Sequence, residues 1–134
     1  MNTELIRYRL DRANEALEDA ELLLSENRLR ATVNRLYYSM FYAVVALLET
    51  KELSSSKHSG VRALFNQHFV KTGLVSKDLG KFYEKLFKNR QKGDYVDFTE
   101  FNEEQVGECL EKCQKYMAEI KEIVCGIMKE EGET

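Results

Sequence analysis

The stretch LYYSMFYAVVALL, residues 36–48, decides the fold of this 134-residue chain. Apart from its tyrosines, Ser39 is the single polar residue in it. A helix that is apolar on all sides is buried over most of its surface. The sequence therefore predicts a central helix from about Arg30 to Glu49, with other helices packed around it.

Apolar residues spaced three or four apart predict further helices on both sides of this segment. The stripes begin at Ile6, Val61, Leu79 and Val106. The absence of proline also favours helices over a loop-rich or all-β fold. We expect an all-α fold, an up-and-down bundle of about five helices. Residues 1–128 would form a single domain, and residues 129–134 a frayed tail.

Several side chains mark where these helices should begin and end. Asn2 or Thr3, Ser76 and Asn102 are suitable N-caps, because their side-chain oxygens can accept hydrogen bonds from free helical amides. Gly73 and Gly93 are expected to end the third and fourth helices.

Composition excludes several classes of function. The net charge of −3 argues against whole-surface attraction to nucleic acid, and no DNA partner is expected. Cys109, Cys113 and Cys125 lack the spacing of a zinc site, so neither a metal nor a cofactor is expected. No apolar run reaches the roughly 18 residues of a membrane span. The odd number of cysteines favours a protein of the reducing cytoplasm. The lack of a long apolar run predicts no membrane partner.

Charge is nevertheless unevenly distributed along the chain. Six basic residues lie between Lys77 and Lys92, opposed by Asp78 and Glu84. Six acidic residues and no basic one lie between Asp97 and Glu111. Solvated helix faces explain the acidic run best. A solvated face and a patch for a phosphate-bearing partner explain the basic run about equally well.

The segment from Asn89 to Tyr95 combines a guanidinium, a carboxylate and a phenol at the predicted end of the fourth helix. Taken alone, it is typical of a helix C-terminus with basic residues near the dipole and a glycine stop. His58 and His68 are the two histidines, and both are interpreted as structural residues.

The chain nevertheless resembles a HEPN domain of the small stand-alone bacterial and archaeal type, over nearly its whole length. The resemblance rests on the order of four marks in the sequence. They are Ala13-x-x-Ala16-Leu17 with Ala20; Asn34-Arg35-Leu36-Tyr37-Tyr38-Ser39-Met40-Phe41-Tyr42; Lys57-His58-Ser59-Gly60-Val61 with Phe65 and Phe69-Val70-Lys71-Thr72-Gly73; and Arg90-x-x-x-Asp94-Tyr95.

This resemblance implies a dimeric helical bundle. Many members of the family are metal-independent ribonucleases with an Arg-x(4–6)-His motif at the dimer cleft. Many are encoded beside a small nucleotidyltransferase as a toxin–antitoxin pair. The arginine of the motif corresponds to Arg90. The position five residues later, where the shortest form of the motif has its histidine, is Tyr95. In members whose nucleotidyltransferase partner adenylylates a tyrosine, that tyrosine lies two residues after the histidine. The corresponding residue in this chain is Asp97.

Replacement of the histidine changes the expected chemistry. Cleavage at a ribose hydroxyl requires a proton acceptor that titrates near neutrality, and histidine titrates near about 6.5 whereas tyrosine titrates near about 10. Asp94 beside Arg90 would be a weak base. Arg90 can still fork onto a phosphate, and Tyr95 can stack on a base. Four further residues could contribute to the ligand site: Lys88, Lys92, Arg35 and Tyr38.

Three hypotheses follow from the sequence. The first is a dimeric module that binds nucleotide or RNA around Arg90 and Tyr95 and acts with a small nucleotidyltransferase. The second is an endoribonuclease toxin that uses Arg90 with Asp94 or Tyr95. The third is a purely structural interaction domain, in which Arg90 and Asp94 form a salt-bridged turn.

The excess apolar surface of the central helix predicts a homodimer, because one layer of neighbours in a domain of this size would leave part of it uncovered. Light scattering at micromolar concentration should give twice the chain mass of 15.6 kDa. A particle of one chain mass at that concentration would refute the dimer.

Overall fold

The computed structural model describes residues 1–95 and 101–132, without the side chains of residues 91–95. These residues form helices and no strand, which confirms the all-α bundle. The elements are α1 (Thr3–Ser25), α2 (Leu29–Glu49), α3 (His58–Phe65), a π-helical segment (Asn66–Val70), α4 (Lys77–Tyr95) and α5 (Glu103–Glu130).

The predicted caps form as expected. Asn2 accepts a hydrogen bond from the Leu5 amide at 3.0 Å, and Asn102 accepts from the amides of residues 104 and 105. The Ser76 hydroxyl accepts from the Leu79 amide at 3.2 Å. Gly73 has φ +77°, the left-handed conformation that suits a residue just after a helix.

The prediction for Gly93 is wrong. We expected it to end the fourth helix, but α4 continues through it to Tyr95. Glycine permits the left-handed conformation that terminates a helix but does not impose it, so its helix-breaking tendency is a preference of about 1 kcal/mol. Arg90 and Asp94 therefore lie on consecutive turns of one helix and not in a tight turn.

Helix α2 forms the centre of the bundle. Eleven of its 21 residues are buried, including Leu36, Tyr37 and Met40 at 0% exposure. Helix α1 runs antiparallel to α2, since Arg9 donates to the carbonyl oxygen of Val45 and Arg12 donates to the Tyr42 hydroxyl. The outer side of α2, which carries Tyr38, Phe41, Tyr42 and Val45, is covered less completely, and these residues are partly exposed.

Helix α5 closes the bundle on the other side. Its 28 residues give a length of about 42 Å at ~1.5 Å per residue. Gln114 donates to Glu21 at 3.1 Å and Lys121 donates to Asn14, so α5 is antiparallel to α1. Its buried stripe includes Val106, Cys113, Met117, Ile120 and Val124, the spacing that the sequence predicted. No helix formed by the described residues has the length and apolarity to cross a membrane.

The π-helical segment meets α4 at a position where only glycine fits. Gly80 is buried on α4, and a Cβ built on it would lie 2.8 Å and 3.0 Å from the two Cγ atoms of Val70. Real Cβ atoms do not approach that closely without displacing a neighbour. The missing side chain therefore sets how near α4 lies to the segment that follows α3.

Gly80→Ala should therefore destabilise the protein by about 1–3 kcal/mol, because the added methyl overpacks this contact. Gly107→Ala on α5 is the matched control, since a Cβ there meets nothing within 4 Å. It should stabilise the protein by up to about 1 kcal/mol through helix propensity. Urea denaturation measures both. Equal effects of the two substitutions would contradict the contact, and Val70→Ala should partly rescue Gly80→Ala.

Candidate functional site

Arg90 lies near the C-terminal end of α4, against the beginning of the aromatic run of α2. Its guanidinium carbon lies 5.2 Å from the centroid of the Tyr37 ring and 5.7 Å from that of Tyr38. Its Nη2 donates to the Tyr38 hydroxyl at 3.4 Å. Cation–π contacts of this kind hold a guanidinium against a ring while leaving its charge in place. Arg90 is half-buried, so the group is positioned at a partly solvent-accessible rim.

A second guanidinium group, that of Arg35, packs on the Tyr38 ring. The Arg35 guanidinium carbon lies 5.1 Å from the Tyr38 ring centroid, and Arg35 donates to the neutral amide oxygen of Asn34 at 3.1 and 3.3 Å. Arg35, Tyr38 and Arg90 therefore form one cluster, although Tyr38 and Arg90 are 52 residues apart. The sequence placed the first two as secondary candidates near Arg90, and the structure brings all three together.

The other predicted site residues are less fully described. Lys88 is exposed on α4. Lys92, Asp94 and Tyr95 continue the same helix, but their side chains lie outside the described residues, as does all of Asp97. Their assignments stay predictions.

His58 was interpreted as a structural residue, yet it joins this cluster. It is the first residue of α3, and its Nδ1 lies 2.9 Å from the Tyr37 hydroxyl. Its ring stacks on Phe41 with centroids 4.4 Å apart and meets Tyr38 edge-on at 5.8 Å. The one sequence feature that included His58 was the Lys57-His58-Ser59-Gly60 segment of the family resemblance. Nothing in the spacing of that segment connects residue 58 with residue 90.

The loop before α3 holds His58 in place through a close approach. A Cβ at Gly60 would lie 2.0 Å from the Ser55 hydroxyl oxygen, which itself accepts a hydrogen bond from the Lys57 amide. The absent side chain lets the Ser54–Lys57 linker fold back over the first turn of α3. That arrangement fixes the backbone from which the imidazole projects.

The electrostatics of the cluster follow from burial and from Arg90. Burial first, and the Arg90 charge second, lower the pKa of His58 from its ordinary value, so the imidazole is neutral at pH 7. Burial raises the pKa of Tyr37 to about 12 and the pKa of Tyr83 well above the usual range. Both phenols therefore remain protonated hydrogen-bonding groups.

Tyr83, which packs against Tyr37 beside this cluster, has a buried hydroxyl whose hydrogen bonding is not satisfied within the described part of the chain. Its ring stacks on Tyr37 with the centroids 6.1 Å apart. Among the described residues this buried hydroxyl has no partner within hydrogen-bonding distance. A buried polar atom left in this way carries a desolvation cost, and such atoms are uncommon in folded proteins.

A separate cavity of about 380 Å³ lies between α2, α4 and α5, and its lining includes Val33, Lys85 and Cys109. A hydrogen bond with Cys113, more than any other cause, lowers the pKa of the Cys109 thiol. The described residues contain no group of three metal-binding side chains here or elsewhere. The three cysteines are free thiols.

The fold and the Arg90 cluster define a small helical-bundle domain with a cationic, aromatic site. Residues 6–123 match the HEPN domain family, and the chain therefore belongs to it.

Its relatives are of similar size. The chain is 50% identical over 121 residues to a protein of Thermotoga maritima named "UPF0332 protein", across 90% of this chain and 92% of the relative. Two proteins of Methanocaldococcus jannaschii are named "Putative toxin MJ0142" and "Putative toxin MJ0605". The first is 35% identical over 84% of this chain and 76% of its own length. The second is 30% identical over 93% of this chain and 92% of its own length.

Tyr37→Phe should cost about 1 kcal/mol of stability, because it removes a largely buried hydrogen bond to His58 while leaving the ring in the core. Tyr8→Phe is the control, since Tyr8 is 60% exposed. Urea denaturation at pH 7 compares the two variants. A loss for Tyr37→Phe no larger than that for the control would argue against the hydrogen bond.

Proposed function

We propose that this protein binds RNA or nucleotides through a phosphate-binding site around Arg90, Arg35 and Tyr38. In this proposal the protein is a dimer and the partner of a small nucleotidyltransferase in a toxin–antitoxin-like pair. The observation that carries the proposal is the placement of two guanidinium groups on one partly exposed tyrosine ring.

Two guanidinium groups on one ring suit a nucleic acid in two ways. Each guanidinium presents donors in the planar fork that matches phosphate oxygens. The half-buried Tyr38 ring lies behind both guanidinium groups, and the plane of an arginine guanidinium is itself a common surface on which an unpaired base stacks. Lys88, exposed on the same helix as Arg90, adds positive charge near the backbone of a bound strand.

The aromatic outer face of α2 supports a dimer. Its residues contact the core but remain partly exposed, and they are Tyr38, Phe41, Tyr42 and Val45. A row of half-covered aromatic side chains at helical spacing fits burial against an identical row on a second copy. Such an interface would place two Arg90 sites near each other.

The nucleotidyltransferase partner is proposed by analogy with the many HEPN proteins that are encoded beside one. The names of the two archaeal relatives describe toxins, and that is compatible with a paired system. The direct check is the neighbouring reading frame: a small nucleotidyltransferase encoded there supports the pairing, and its absence in this genome counts against it.

Two other hypotheses stay predictions. A ribonuclease that uses Asp94 or Tyr95 depends on side chains outside the described residues. A purely structural pairing of Arg90 with Asp94 also depends on such a side chain, and their spacing of four residues on one helix is compatible with an ion pair.

Arg90→Met tests the binding site, since methionine keeps an unbranched apolar stem of similar length but removes the charge and the donors. Binding of a fluorescent single-stranded oligouridylate should weaken at least about tenfold, the loss of one charge-assisted phosphate contact. The salt slope should fall by about one.

The matched control is Arg7→Met, which removes the same charge from an exposed position on α1. It should change affinity less than about twofold, as expected for a remote exposed charge. Equal losses in the two variants would indicate nonspecific attraction. No binding by the wild-type protein would overturn the proposed function.

A further inference from the structure

His58 and Arg90 reach the same rim of the bundle from different elements. The imidazole projects from the start of α3 and the guanidinium from α4, and both contact the rings of Tyr37 and Tyr38. The function proposed above uses Arg90 and Tyr38 and assigns nothing to His58. An imidazole beside an arginine that binds phosphate can contribute to the same site, since its protonated form is a second cation with a directed N–H donor.

The hydrogen bonds of the imidazole leave one nitrogen available. Nδ1 is engaged by the Tyr37 hydroxyl, which is held in the core at 0% exposure of its residue. Nε2 has no hydrogen-bond partner among the described residues and is not one of their fully buried polar atoms. The ring is thus fixed on one side by Tyr37 and by stacking on Phe41, while His58 as a residue is partly exposed and Nε2 is left for a ligand atom.

We propose that His58, in its protonated form, is a second phosphate-binding group of the Arg90 site, so that RNA binding takes up a proton. In the bound state Nδ1–H donates to the Tyr37 hydroxyl and Nε2–H donates to a phosphate oxygen. Arg90 binds the same phosphate or its neighbour. This assignment rests on the proposed function, because it presupposes that a phosphate occupies the site.

The charges around His58 make its protonation depend on the ligand. Without a ligand, burial and the Arg90 charge both oppose a second cation and lower the pKa of the imidazole. A bound phosphate reverses the sign of the local field and should raise that pKa. Between the free and bound pKa values, the complex holds more protons than its separated components. Affinity should therefore rise as pH falls through that interval.

The other described groups that face His58 do not titrate in this range. Tyr37 and Tyr83 have raised pKa values and stay neutral. Arg62, on the same helix as His58, is always charged and forms an ion pair with Glu84 at 3.5 Å. A pH dependence between about 5.5 and 8 would then report on His58, because ordinary carboxylates titrate lower.

The experiment is an affinity titration from pH 5.5 to pH 8 with an oligouridylate lacking terminal phosphates. Phosphodiesters do not titrate in this range, whereas a terminal phosphate would, near about 6. Wild-type affinity should rise about three- to tenfold from pH 8 to pH 5.5, below the limit of tenfold per pH unit for one proton. His58→Asn keeps an amide that can bond to Tyr37 but cannot become a cation, and its affinity should change by less than twofold.

The second histidine of the chain gives an internal control. His68 lies in the π-helical segment, away from the cluster, and His68→Asn should keep the wild-type pH dependence. In the wild-type protein, nuclear magnetic resonance of the two imidazoles should show the pKa of His58 rising when the oligonucleotide is added while that of His68 stays constant.

The outcomes separate the two proposals. Binding that depends on Arg90 but not on pH, or an unchanged pH dependence in His58→Asn, overturns the role of His58 and leaves the proposed function standing. No binding at any pH removes the proposed function and this inference with it. A pKa of His58 that does not move on binding also overturns the inference, even if affinity varies with pH.

Discussion

Burial of α2 is the constraint on which the rest of the structure depends. This helix has no polar face wide enough to be left in water, so α1, α4 and α5 must cover it. The antiparallel placement of α1 and α5 serves that burial, while the Gly80 contact sets the distance between α4 and the π-helical segment. Helices α1 and α5 are amphipathic, and each has one apolar stripe. Each stripe needs an apolar partner to be buried, and α2 is that partner.

The candidate site lies where this burial becomes incomplete. Tyr37 and Tyr38 are adjacent in sequence, yet one is fully buried and the other is half-exposed, since consecutive residues of a helix point about 100° apart. Tyr37 carries the hydrogen bond to His58, and Tyr38 carries both guanidinium groups. The core therefore supplies a rigid support for the polar groups at its edge, and the site needs no separate scaffold.

Much of the fold could be predicted because it follows from local rules. The caps at Asn2, Ser76 and Asn102 depend on residues two to three positions away, and the α5 stripe depends on spacing alone. Gly93 was misjudged because glycine only permits a helix to end there. The π-helical segment after α3 had no recognisable signal, because a single wider turn does not alter the spacing of apolar residues enough to be noticed. Arg90, Arg35 and Tyr38 were predicted as candidate site residues from the family resemblance, and the structure places them in one cluster. The position of His58 in that cluster depends on how α3 docks against α2 and α4, which no short-range pattern specifies.

The docking of α3 has a consequence for how the site behaves in time. This helix has eight residues, of which Val61 and Phe65 are buried, and it follows an exposed linker. Together with the π-helical segment that continues it, α3 buries Val61, Phe65 and Phe69. We expect an element with so few buried residues to open locally before α2 does, and its amides to exchange with solvent earlier. Each such opening withdraws the imidazole of His58 while Arg90 and Arg35 remain on α4 and α2. A ligand that uses His58, as proposed above, would then have an affinity scaled by the fraction of molecules in which α3 is docked.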